Sequence, residues 1–252
     1  MNDIKKVPGV LSGQEITELV AKNIISSDQE IDKDIIQPAS IDLRLGIRAW
    51  RVPASFLPGK GNLVSERLKD FAMHEFSLLD GAVLECGCVY IVKLLENVSL
   101  TDNLSGIANP KSSTGRLDVF TRLIVDGAQE FEDVPAGYKG PLYAEISPRT
   151  FSVLVRTGSR LNQLRIRRGY SITTDKEMEI LQKHVGLVRT EDNDSLPDKI
   201  KNGVPLSVDL VGENGLIGYR ARKHTRLIDV DKPGFYKRES FWEKITTEDL
   251  VY

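Results

Sequence analysis

The densest chemistry in this chain lies in residues 109–116, which read N-P-K-S-S-T-G-R. A lysine, two adjacent serines, a glycine and an arginine fall together with no acidic residue among them. Hydroxyls and backbone N–H groups donate to anionic oxygens, Gly115 permits close backbone approach, and Arg116 can offer two parallel hydrogen bonds. That is the chemistry of holding a phosphate, and also the make-up of an ordinary polar turn. Two downstream segments add to it. Residues 137–147, G-Y-K-G-P-L-Y-A-E-I-S, read as a turn and a strand carrying one carboxylate, Glu145. Residues 156–169, R-T-G-S-R-L-N-Q-L-R-I-R-R-G, read as a turn at Thr157, Gly158 and Ser159 followed by an alternating strand. On that strand Leu164 and Ile166 face one way, and Gln163, Arg165 and Arg167 the other. Six arginines and no Asp or Glu fall between Arg149 and Arg168. Such a strand suits a polyphosphate, or serves as a charged edge that deters pairing with other strands.

Composition narrows the options. The chain has 252 residues, 40% hydrophobic and 28% charged, with a formal net charge of −2. This is ordinary globular composition, without the basic field that duplex nucleic acid requires. An anion site must therefore be local, and no nucleic-acid or membrane partner is expected. The two cysteines, Cys86 and Cys88, flank one glycine. A lone C-x-C is a poor zinc site and no disulfide framework, so core or half-buried thiols on one face of a strand, in a reducing cytoplasm, are expected. The opening M-N-D-I-K-K has no apolar signal-peptide region, and no apolar run is long enough to cross a membrane.

The elements that must position these groups are mostly strands. Ser12 and Glu15 form a capping box before Ile16, Leu19, Val20 and Ile24, which predicts one N-terminal helix. Helix signals then become rare. Residues 40–45, 83–95 and 151–155 are rich in β-branched residues and bounded by Pro and Gly, which predicts many short strands in a sandwich or barrel. Residues 176–185 could form a short helix, and the polar run 190–203 reads as a linker or exposed loop. Beyond it, P-L-S-V-D-L (205–210) echoes P-A-S-I-D-L (38–43), and both precede a Gly-containing strand region. The echo suggests an internal duplication cut short, giving a domain at 1–172, a helix and linker at 173–203, and the start of an incomplete second copy at 204–252.

The three segments, in this order and with the Q-P-A-S-I-D-L-R-L-G stretch (37–46) after a capped helix, resemble the dCTP deaminase and trimeric dUTPase superfamily. The likeness covers roughly residues 10–170 and, with the echo, points to the longer duplicated bacterial type. It implies a mainly β fold, a distorted jelly-roll-like β-barrel, assembled as a cytoplasmic homotrimer with active sites between subunits. It further implies hydrolytic deamination of dCTP to dUTP and ammonia, supplying dUTP as dTTP precursor. Magnesium would ride on the triphosphate, and dCTP, dUTP and dTTP would be the small-molecule partners. No zinc is implied, and the H-x-E and P-C-x-x-C signature of zinc deaminases is missing from the sequence.

Carried over residue by residue, Glu145 corresponds to the family's proton-shuttling glutamate on the strand after the G-Y-K-G turn. Bulk water, with a pKa of about 15.7, needs such a group to take its proton as it attacks the ring. Apolar surroundings favour an uncharged carboxyl and so suit a shuttle; the plainer reading is a strand glutamate paired with an arginine. Ser112, Ser113 and Arg116 match the phosphate-binding serines and arginine, and Arg116 also the group that helps place the water. Lys111 stands where short deaminases carry arginine, keeping the charge without the fork. Gln163 and Arg160 match the nucleotide-binding strand, and Gly158 its turn. Val125, Asp126 and Gly127 fall in the segment that recognises the base, although 119–135 carries an insertion and no histidine. Asp126 also raises the alternative of a dUTP diphosphatase or bifunctional enzyme, since dUTPases use an aspartate to activate water. An aspartate beside glycine is otherwise a common turn residue. The incomplete second copy raises a third reading, a non-catalytic nucleotide-binding subunit.

Overall fold

The structure, a computed structural model, describes residues 7–169, 173–189, 200–204 and 208–249. It comprises two compact units, Met1–Tyr170 with Lys223–Phe241, and Ser171–Arg222 with Trp242–Tyr252. The expected N-terminal helix α1 spans Gly13–Ala21. Its capping box is complete: Ser12 Oγ accepts from the Glu15 N–H, and Glu15 Oε2 accepts from the Ser12 N–H at 3.1 Å. The helix buries Ile16 and Leu19.

Six strands carry the first unit: β1 (Ser40–Val52), β2 (Val89–Ser99), β3 (Leu104–Pro110), β4 (Val119–Val125), β5 (Lys139–Pro148) and β6 (Arg160–Arg168). In the sheet the order is Asp133–Val134, β3, β6, β1, β2, β5, β4. Its two ends meet, because the Glu132 N–H donates to Leu123 O at 3.0 Å and its carbonyl accepts from the Ala108 N–H at 2.8 Å. The result is the expected mainly β, nearly closed barrel. Leu43, Ala108, Leu123, Ala144, Ile146, Leu164 and Ile166 are fully buried in its core. Each such larger side chain stabilises the fold by about 1.5–3 kcal/mol.

Strand β1 changes its main-sheet partner along its length. Its first half pairs with β6, and residues 49–52 pair with β2. At the changeover sits Gly46, where a Cβ would lie 2.3 Å from Lys93 O. The glycine that closes P-A-S-I-D-L-R-L-G is therefore required by close backbone approach.

Between β1 and β2 the chain makes an excursion containing helix α2 (Val64–Phe71) and the strands His74–Ser77 and Ala82–Leu84. The latter pairs with Val153–Val155, which in turn pairs in parallel with Ile228–Asp229. Arg156 grips this last segment through Asp229, with Nη1 to Oδ1 at 2.8 Å and Nη2 to Oδ2 at 3.0 Å. The cysteines depart from expectation. They lie in a turn, not a strand, because Gly87 at φ +81° lets the Cys88 N–H reach Glu85 O. Both are free thiols, Cys86 exposed and Cys88 half-buried.

In the second unit the expected helix is α4 (Asp175–Val185), with a capping box at Thr174 and Glu177. Leu216–Ala221 and Trp242–Thr246 form an antiparallel pair. Most of the expected 190–203 linker, and positions 205–207 of the echo, lie outside the described residues. Among the described residues no helix is long and apolar enough to cross a membrane.

Candidate functional site

Glu145 sits on β5 opposite Arg122 of β4 and Ile91 of β2. Directly opposed residues of antiparallel strands project to one face, so the register alone brings carboxylate and guanidinium together. Glu145 is 2% exposed. Its Oε1 accepts from Arg122 Nη2 at 2.6 Å and from Nε at 3.2 Å. Its Oε2 is buried and has no partner among the described residues. A buried polar atom without a partner costs about 1–3 kcal/mol, more when charged, so a ligand or water is its natural complement. Two residues along the same face, Ser147 Oγ is also buried and unpartnered.

Arg122 is held on three sides. Its guanidinium carbon lies 3.4 Å from the centroid of the Phe131 ring and 4.9 Å from that of Phe120. Its Nη2 also donates to Ser55 Oγ at 2.6 Å. Beside it, burial raises the Glu132 carboxyl to about 7, with the Leu123 backbone and Arg122 pulling the other way.

The K-S-S-T-G-R segment folds as a short helix, α3 (Ser112–Arg116), where a bare turn was the simplest expectation. Thr114 anchors it: fully buried, its Oγ1 donates to Leu161 O on β6 at 2.9 Å. Ser112, Ser113, Gly115 and Arg116 are left exposed. The first N–H groups of a helix have no internal acceptor, so this surface presents unpaired donors beside two hydroxyls and a cation.

The neighbouring cations are engaged. The Lys111 ammonium pairs with the buried Asp42 carboxylate. Arg160 donates to Asp34 at 2.7 Å and lies 3.9 Å from Asp42. Gln163, opposite Asp42 on β1, accepts from Ser40 Oγ at 3.1 Å. Gly158 takes φ +92° and donates its N–H to Leu45 O, a turn that an L side chain would strain.

The expected base-recognition residues lie at the end of β4, beneath the excursion. Val125 is buried. The Asp126 Oδ1 accepts from the Val64 N–H at 2.7 Å and so caps α2. Burial raises the Asp126 carboxyl, and that N–H pulls it back down. The Gly127 N–H donates to Asn62 O, and the Gly59 N–H to Ala128 O.

Two groups therefore emerge. One is Glu145, Arg122 and Ser55; the other is Lys111, Asp42, Arg160 and Gln163, with α3 at its edge. No hydrogen bond or ion pair joins them among the described residues. Arg122 and Ser55 were not found from sequence. The alternation in V-F-T-R-L-I-V marks Arg122 as sharing a face with Phe120, yet only the β4–β5 register sets it against Glu145. Among the described residues no cluster of three or more His, Cys, Asp or Glu could hold a metal ion.

Comparison with known proteins places this geometry. The family profile for the 2'-deoxycytidine 5'-triphosphate deaminase N-terminal domain matches residues 7–170, and that for the C-terminal domain of the same enzyme matches residues 174–251. The crystal structure of 2'-deoxycytidine 5'-triphosphate deaminase from Agrobacterium tumefaciens is 49% identical, with a TM-score of 0.88 over 96% of this chain and 71% of that one. The native EIAV dUTPase is 12% identical over 60% of this chain and 91% of that one, at a TM-score of 0.36.

Proposed function

This chain belongs to the 2'-deoxycytidine 5'-triphosphate deaminase family, and from that premise we propose that it hydrolyses dCTP to dUTP and ammonia with Glu145 as the proton carrier. The observation that carries the role of Glu145 is its buried, unpartnered Oε2 beside an Arg122-bound Oε1. Oε2 takes a proton from water as its oxygen bonds to carbon 4 of the cytosine ring. That proton passes to ring nitrogen 3 and stays there; the carboxylate then takes the remaining proton from the new hydroxyl and gives it to the amino group, which leaves as ammonia as the carbonyl forms. Water is consumed, ammonia is released, and a carbonyl replaces the amine, so the carboxylate is regenerated. Such general acid–base work is worth roughly 10²- to 10⁴-fold.

In this reading Ser112, Ser113 and Arg116 bind the phosphates, with the exposed N–H groups of α3 as further donors. Arg116 also helps to place the water. Lys111 and Arg160 share their charge with Asp42 and Asp34 and hold the nucleotide strand in shape, with Gln163 and the Gly158 turn. Magnesium, carried on the triphosphate oxygens, neutralises phosphate charge. Independence from zinc rests on the absence of the zinc-deaminase signature from the sequence. The family resemblance read from the sequence supports a homotrimer in which a neighbouring subunit completes each site. The free thiols of Cys86 and Cys88 fit a cytoplasmic setting. The 205–210 echo of 38–43 supports reading residues 204–252 as the descendant of a second copy.

The dUTPase reading needs Asp126 as base; one of its oxygens, Oδ1, is spent in capping α2. The test is a product assay on the purified protein with dCTP and magnesium, following ammonia and separating dUTP from dUMP. Ammonia with dUTP as product is expected. Bound dCTP without ammonia would leave a binding subunit instead.

A further inference from the structure

We infer that Ser55, on the excursion between β1 and β2, is a positioning residue that keeps one oxygen of Glu145 open. This rests on the proposed role of Glu145. An arginine beside a carboxylate ordinarily presents two parallel N–H groups to two oxygens. Here Nε and Nη2 of Arg122 both converge on Oε1, at 3.2 and 2.6 Å, and Oε2 receives nothing. The remaining bond of Nη2 goes to Ser55 Oγ at 2.6 Å. With its plane held against Phe131, the guanidinium cannot slide toward Oε2 without giving up that bond. The hydroxyl therefore selects the one-oxygen geometry over the fork.

Ser55 owes its place to the excursion as a whole. Phe56 stacks on Phe71 with ring centroids 5.3 Å apart, tying the start of the excursion to the end of α2. The Asn62 carbonyl, the Gly59 N–H and the Val64 N–H bind the 126–128 turn. One segment thus sets both the turn expected to meet the base and the orientation of the proton-carrying carboxylate. No local pattern singles out Ser55, which is one polar residue in an exposed loop.

The test combines crystal structures and kinetics of the full chain as wild type, Ser55→Ala and Ser55→Thr. In Ser55→Ala, Arg122 should donate to both Oε1 and Oε2, kcat for ammonia release should fall about tenfold, and KM for dCTP should stay within about twofold, at an unchanged melting temperature. Ser55→Thr, which restores the hydroxyl, should recover the one-oxygen geometry and most of kcat. An unchanged Arg122–Glu145 geometry in Ser55→Ala overturns the inference, as does an unchanged kcat or a loss that threonine fails to rescue. If the wild type releases no ammonia, the proposed activity fails, and the two variant structures still decide what Ser55 does.

Discussion

Two buried glutamates on neighbouring strands of one sheet are each paired with an arginine, and they are finished differently. Glu96 on β2 is fully buried. Its Oε1 accepts from Arg44 Nε at 2.7 Å and its Oε2 from the Arg44 backbone N–H at 2.8 Å. The other end of Arg44 is used as well, by Glu30 O at 2.7 Å and Ser27 Oγ at 3.2 Å. Burial raises the Glu96 carboxyl, and the Arg44 bonds pull it back. Glu145 has nearly the same burial and the same partner type, yet one oxygen is left over. Burial and an ion pair are common to both; what Glu145 adds is an unspent acceptor, a feature that Asp42 at Oδ1 and Glu132 at Oε2 share. Glu96 closes a network, and Glu145 leaves one open.

The largest effect that would break this comparison is on turnover. Glu145→Gln should lower ammonia release by at least about 10³-fold in steady-state assays, with a smaller drop in melting temperature than Glu96→Gln because Arg122 is more exposed than Arg44. Glu96→Gln should do the reverse. Leaving Arg44 buried without its counter-charge costs about 3 kcal/mol, read as a drop of several degrees in thermal unfolding, with activity per folded molecule retained. If both variants lost stability alike, the distinction would collapse.

Arg122→Lys keeps the charge but replaces the planar fork with a single point. It should lower kcat by about tenfold with little change in KM, which progress curves at saturating and low dCTP would separate. The smallest effect concerns Glu132, a third carboxylate with a buried, unpartnered oxygen but no arginine bond. Its carboxyl is raised to about 7 from an ordinary value of 4.5. The folded state therefore holds an extra proton between these values, so its contribution favours folding below about pH 4.5 and is lost as pH rises through about 7. Glu132→Gln should remove that slope, gaining about 1 kcal/mol at pH 8 after allowance for partial exposure and nothing near pH 4.5, as denaturant titrations would show. Activity lost in this variant on the scale of Glu145→Gln would mean that an open oxygen alone does not pick out the proton carrier.

What the sequence revealed was local. The Ser12 capping box, the alternation on β6 and the turns at Gly137 and Gly158 are each written in a few adjacent residues, and each folds as read. Helix α2 was missed for the opposite reason. Leu63 at its N-cap offers no side-chain bond, and the cap comes from Asp126, far along the chain. Arg122 was missed because only strand register sets it against Glu145, and Ser55 because an excursion of the chain delivers it there. The pairing of Ile228–Asp229 with Val153–Val155 is likewise a long-range contact that no local pattern announces. Glu145 itself was singled out through family resemblance; the structure shows it as a strand glutamate paired with an arginine, with one acceptor left free.

The most direct test of the central claim is single-turnover ammonia release from pre-bound dCTP by Glu145→Gln, at an occupancy matched to wild type. A rate at least about 10³-fold slower, with dCTP held as tightly, is the predicted result. Ammonia at the wild-type rate from that variant would contradict it and would move the proton-carrying role to another group.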